Sequence, residues 1–169
     1  GAGNDTFTLA GNYTTDDTID GGTGTDTATM TITGASTTTF TAASVSGIEN
    51  FTLTGSTGAN VYDFKNLTGV EEVTIADGSN HNGTVQGLNT GVTVNLLEPN
   101  AVQTVDTADA ASVSVDVEVN KTGGSVVVTD TAAVTVTGKA ATGDIVALAL
   151  DAVDTTSQTL ATTTTNDLD

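Results

Sequence analysis

The chain has 169 residues, with 21 Asp and Glu against 3 Lys and Arg, for a formal net charge of −18. That charge excludes nucleic-acid binding through clustered basic contacts to phosphates, and the absence of Cys excludes disulfides and thiolate metal sites. Hydrophobic residues make up 37 % and aromatics only 4 %, which predicts a core of Val, Ile, Leu and Ala. Thr supplies about a fifth of the chain and Gly another 19 residues, a blend that favours strands and tight turns over long helices. No apolar run approaches the ~20 residues of a membrane span. The first residues lack an initiator Met and a basic-then-apolar leader, so the chain reads as a piece of something larger.

In chain order, Gly1-Ala2-Gly3-Asn4-Asp5-Thr6-Phe7 reads as G-x-G-x-D-x-U, where U is a large apolar residue. Asp17 and Ile19 then fill the D-x-U end of one nonapeptide, and Gly21 to Asp26 begin the next. Leu9 to Asp16 departs from the strict nine-residue repeat. Strands with apolar residues at alternate positions follow at Met30-Thr31-Ile32, Phe51-Thr52-Leu53, Val73-Thr74-Ile75, Val92-Thr93-Val94, Val113 to Val119 and Val134-Thr135-Val136. Their centres are 19 to 22 residues apart. Phe40, Tyr62, Val85, Val105, Val127 and Val146 make a second apolar series of nearly the same period. Within it, residues 40–55 lie over residues 62–77 at a constant offset of 22, matching Phe40 to Tyr62, Val45 to Leu67, Gly47 to Gly69, Glu49 to Glu71 and Leu53 to Ile75.

Two strands per repeat of about 20 to 22 residues predict an all-β, right-handed parallel β-solenoid, a β-helix or β-roll, in which each coil leaves an apolar face open until a neighbour stacks on it. At about 4.8 Å per coil, six to eight coils make a rod of roughly 30 to 40 Å. The competing arrangement is a β-sandwich, which has no reason to repeat at 22 residues. Residues 1–30 are expected to form glycine-rich turns, residues 31–154 solenoid coils, and residues 155–169 a worn last coil or a linker. Thr41 to Val45 and Asp63 to Leu67 are expected as single helical turns at corners, and Pro99 as a corner or break.

The glycine-rich segments resemble the calcium-binding RTX repeat G-G-x-G-x-D-x-U-x. In that setting Gly permits turns that aim carbonyls into a shared cavity, Asp adds a short anionic oxygen, and calcium takes six to eight oxygens at about 2.3 to 2.6 Å. The expected ligands are the carboxylates of Asp5, Asp17, Asp20 and Asp26 and the carbonyls of Gly3, Gly22, Thr23 and Gly24, with Asn4 and Asp16 behind them. The alternative for the same residues is an ordinary set of Gly-Asp turns.

Together with the G-[IV]-E-x-[FV]-T-[LI] segments at Gly47 to Leu53 and Gly69 to Ile75, the chain resembles RTX-repeat bacterial surface-layer proteins and related RTX surface proteins. The RTX part covers only the first 30 residues or so. The resemblance implies secretion without an N-terminal signal, folding outside the cell on meeting calcium, and assembly with copies of itself or neighbouring modules on the bacterial surface, with cell-surface polysaccharide as a further partner. The alternatives are a stalk or ligand-binding module of a type I-secreted RTX adhesin, or the secretion domain of an exported enzyme.

Catalysis finds little support in the residues. Arg is absent, the lysines Lys65, Lys121 and Lys139 are scattered, and neither a P-loop nor a G-x-S-x-G elbow occurs. Glu71 and Glu72 are strand neighbours and expected on opposite faces, whereas Glu49 and Glu71 are expected to stack one coil apart as a solvated or cation-bridged corner. His81 stands alone in a polar loop, with no partner for a zinc site. Threonine rows such as Thr27, Thr29, Thr31 and Thr33 are read as ordinary strand residues rather than an ice-binding face.

Overall fold

The computed structural model describes residues 1–9, 13–14, 16–33, 36–55, 58–76, 82–97, 102–108, 110, 112–119, 125–130, 133–140, 147–152 and 159–162. His81, Pro99, Lys121, Val146 and all but four residues of the expected tail lie outside them. The strands in chain order are β1 (Thr6–Leu9), β2 (Ile19–Asp20), β3 (Thr27–Ile32), β4 (Ser36–Thr41), β5 (Val45–Ser46), β6 (Asn50–Gly55), β7 (Ala59–Asn66) and β8 (Glu72–Ile75). They continue as β9 (Asn82–Gln86), β10 (Val92–Leu97), β11 (Val102–Asp106), β12 (Ser112–Val119), β13 (Ser125–Asp130), β14 (Ala133–Ala140), β15 (Ala147–Ala152) and β16 (Thr159–Thr162). No helix occurs among the described residues.

Every strand pairing among the described residues is parallel. One sheet of eight strands runs β1-β3-β6-β8-β10-β12-β14-β16, a second of six runs β15-β13-β11-β9-β7-β4, and β2 pairs with β5 in a short third sheet. Chain neighbours thus lie in different sheets and every second or third element returns beside its predecessor, which is the winding of a parallel β-solenoid. All six strands expected from the first apolar series belong to the eight-stranded sheet, which runs without interruption past residue 30.

Alternation decides which side chains enter the core. In β3 and β6 every second residue is buried, and register stacks Ala28, Phe51, Val73, Val94 and Val115 in one file and Met30, Leu53, Ile75 and Leu96 in another. The intervening Thr29, Thr52 and Thr74 form a parallel row on the other face. A third buried column, Val45, Leu67, Leu88 and Ala110, recurs at steps of 22, 21 and 22 along the corner between the sheets. At about 1.5 to 3 kcal/mol per fully buried large aliphatic side chain, these files hold adjacent windings together, and none is complete in a single winding.

Three expectations change. The core is not purely aliphatic: Tyr62, Phe40, Phe51 and Phe64 are its largest fully buried side chains. Phe40 sits at the centre of an aromatic cluster, with ring centroids 5.5 Å from Tyr13, 5.4 Å from Phe51 and 4.9 Å from Phe64. Tyr13, Phe51 and Phe64 gather around Phe40, where the rings pack in tilted and edge-on contacts.

Second, the offset of 22 holds in β6 and β8 but not between β4 and β7, where Thr38 pairs with Tyr62, Thr41 pairs with Asn66, and an irregularity lies between. Phe40 therefore meets Phe64. Likewise Val105 pairs with Val128, so Val126 and Val128 are buried and Val127 is only half-buried. Third, the expected helical turns are single hydrogen-bonded bends. Ser44 N–H donates to Thr41 O at 2.9 Å and Leu67 N–H to Phe64 O at 2.8 Å, while Asp63 to Asn66 stay extended in β7.

Candidate metal centre

The segment before β1 stacks directly on the segment before β3. Gly3 N–H donates to Thr23 O at 2.8 Å, Thr23 N–H to Gly1 O at 3.2 Å, Thr25 N–H to Asn4 Oδ1 at 3.1 Å and Thr27 N–H to Asp5 O at 2.9 Å. Gly3, Gly22 and Gly24 have φ of 114°, 93° and 138°, a region disfavoured for residues with a Cβ. At Gly22 and Gly24 a Cβ would also collide with the carbonyl oxygens of Gly1 and Gly3. The G-x-G spacing is thus what lets two turns approach backbone to backbone.

Asp5, Asp26, Gly3, Gly22, Thr23 and Gly24 come together in this stacked pair of turns. Asp26 is completely buried. Its Oδ1 accepts the Asp5 N–H at 2.7 Å, its carbonyl accepts the N–H groups of Glu49 and Asn50 at 3.2 and 3.0 Å, and its own N–H donates to Glu49 Oε2 at 2.7 Å. Its second carboxylate oxygen, Oδ2, is buried without a hydrogen-bond partner among the described residues. A buried carboxylate oxygen with no donor is costly, and a hard cation is one group that satisfies it. Gly21 packs against it: a Cβ there would collide with the Gly47 carbonyl oxygen and stand 2.5 Å from Asp26 Oδ2. Two oxygens, one anionic and one a main-chain carbonyl, therefore flank the same point.

Asp17 and Asp20 sit elsewhere. Asp17 Oδ2 accepts the Thr14 N–H at 2.7 Å, closing a local turn ahead of β2. Asp20, at the end of β2, is exposed, and its Oδ1 accepts the Ser46 hydroxyl at 3.1 Å. Asn4 spends its Oδ1 on Thr25, and Asp16 is exposed. Asp5 is half-buried, with Oδ2 3.9 Å from the Gly1 ammonium. Among the described residues, no three acidic or imidazole side chains are grouped to hold a metal. The oxygens that the two turns bring together are a mixed set of carboxylate and carbonyl around Asp26.

The residue that the repeat motif does not contain is Glu49. The sequence places it one winding before Glu71, and the structure agrees: Glu71 and Glu72 N–H both donate to Glu49 O, at 2.8 and 3.1 Å. Register extends the file backward, since Asp5, Asp26, Glu49 and Glu71 each stand one position before the paired residues Thr6, Thr27, Asn50 and Glu72. Reading Asp26 and Glu49 as successive members of that file, 23 residues apart, was the available signal. No family model, curated protein or solved structure matches the chain.

Proposed function

We propose that this chain is a structural segment of a secreted bacterial surface protein, a β-solenoid that folds and self-assembles with calcium outside the cell. The observation that carries the reading is the unpartnered, fully buried Oδ2 of Asp26 within a stacked pair of G-x-G-x-D turns. Calcium supplies the missing positive charge there, coordinated by carboxylate and carbonyl oxygens. Across a chain of −18, each bound ion also relieves repulsion between windings, so binding acts as folding energy. One site at a hundred times its Kd adds about 2.7 kcal/mol. Extracellular calcium modules bind at about 10⁻⁴ to 10⁻³ M, which leaves such a chain loose inside a cell and ordered outside.

Circular dichroism and thermal melting with calcium and with EGTA test this. The expected result is a higher midpoint in calcium, and an unchanged spectrum and midpoint defeat the reading. Ordered two-dimensional sheets in electron micrographs after calcium addition are the expected sign of a surface layer.

The second reading, a ligand-binding module of a secreted adhesin, draws on a polar cavity of about 210 Å³ lined by Asp63, Lys65, Gln86, Gly87, Asp106 and Ala108. A chain that stays monomeric in calcium and retains a saccharide favours it.

A further inference from the structure

We propose that Glu49 is itself a ligand of the cation at Asp26, so that the site bridges two windings and one of its carboxylates comes from outside the glycine-rich repeat. The inference rests on the calcium reading above and names a ligand that the repeat motif cannot supply. Its warrant is the conjunction of a buried, unpartnered Asp26 Oδ2 with a second carboxylate held against the same residue. Asp26 and Glu49 clasp each other twice, Asp26 N–H to Glu49 Oε2 at 2.7 Å and Glu49 N–H to Asp26 O at 3.2 Å. Two like charges on neighbouring windings, one of them buried, call for a counterion of charge two.

The residue type follows from the geometry of the corner. Asp20 pairs with Ser46 and Thr27 pairs with Asn50, so the third winding covers this corner with three residues fewer than the second. The shorter corner has no G-x-G turn to present carbonyls. It offers the Gly47 carbonyl beside Asp26 Oδ2 and, two residues on, a glutamate whose side chain reaches back one winding. An aspartate, one methylene shorter, has less reach for that span. Glu71, the next member of the file, is exposed and marks where the site ends.

Calcium titration by calorimetry and terbium luminescence on the full chain tests the assignment, with thermal melting as an independent readout. Glu49→Gln and Asp26→Asn are each expected to weaken calcium at least about tenfold and to remove most of the calcium-dependent rise in melting temperature, whereas Glu71→Gln, which removes the same charge one winding on, stays within about twofold of wild type. Wild-type affinity in Glu49→Gln, with loss in Asp26→Asn, removes Glu49 from the site and leaves the calcium reading standing. Equal weakening in Glu49→Gln and Glu71→Gln reduces the effect to diffuse charge and overturns the proposal. No calcium binding by the wild-type chain overturns both. Far-UV circular dichroism at saturating calcium checks that each variant keeps its strands. Should the glutamine variant unfold, Glu49→Asp keeps the charge and withdraws the carboxylate, and wild-type affinity there overturns the assignment.

Discussion

Among the residues whose burial is described, two aspartates are buried, and they are answered differently. Asp63, 3 % exposed at the middle of β7, has both oxygens engaged: Oδ1 accepts the Lys65 N–H at 3.1 Å and Oδ2 lies 3.1 Å from the Lys65 ammonium. Burial pushes its carboxyl up, but the Lys65 amide and ammonium together with the Gln86 side chain outweigh burial and hold it below the ordinary value of 3.8. Asp26, at the corner ahead of β3, has one oxygen bonded and one unpartnered. Each packs against a glycine, Gly87 for Asp63 and Gly21 for Asp26. The difference teaches that this fold answers one buried carboxylate with a lysine two residues on in the same strand, and leaves an oxygen of the other without a partner among the described residues.

The largest expected effect is at the glycines. In Gly21→Ala the new methyl meets the Gly47 backbone, and in Gly87→Ala it meets the Lys65 N at 2.5 Å with φ at +68°, so each is expected to cost about 3 kcal/mol or more in urea unfolding. A cost under 1 kcal/mol at either position shows that its corner is loose and that the packing against the aspartate is unimportant.

Next comes Asp63→Asn, expected to lose about 1 to 3 kcal/mol through the buried charge-assisted bonds. The sign with pH is fixed by the lowered value. The carboxylate contributes fully above its unfolded value near 3.8, and the contribution is lost as pH falls through the lower folded value. The gap in melting temperature between wild type and Asp63→Asn is therefore expected to be constant from pH 7 to about 5 and to close in acid. A gap that widens in acid contradicts the assignment.

Lys65→Met is a smaller change, because the Lys65 side chain is 57 % exposed and an ion pair so placed is worth less than about 1 kcal/mol. Added salt is expected to narrow even that difference. The smallest effect sharpens the comparison most. In EGTA, Asp26→Asn keeps an acceptor for the Asp5 N–H and removes an unpartnered charge, so its stability is expected within about 0.5 kcal/mol of wild type, or above it. A loss as large as that of Asp63→Asn shows that Asp26 is satisfied from within the chain.

How much was legible in the sequence depends on which link is asked about. Val73-Thr74-Ile75 lying over Phe51-Thr52-Leu53, and Glu49 over Glu71, followed from a repeat of 22 residues, because stacking windings of equal length turns sequence offset into spatial register. Phe40 over Tyr62 followed the same arithmetic and was displaced to Phe64, because β4 pairs with β7 at an offset of 24 from Ser36 to Thr39 rather than 22. At the candidate site, the stacking of Asp5 and Gly3 on Asp26 and Gly24 was readable from the repeated G-x-G-x-D. The turning of Asp17 toward Thr14 was not, since a short-range bond to its own backbone competes with any longer-range role.

Alternating apolar residues and a period near 21 thus determined, by themselves, an all-β parallel solenoid and most of the residues that face its interior. Only the tertiary structure decided that Asp26 is buried with an oxygen to spare and that Glu49 closes on it. A strand's facing is set by a periodicity that every winding shares, whereas a corner side chain's partner depends on how many residues each of two adjacent windings spends on the bend, and here those numbers differ by three.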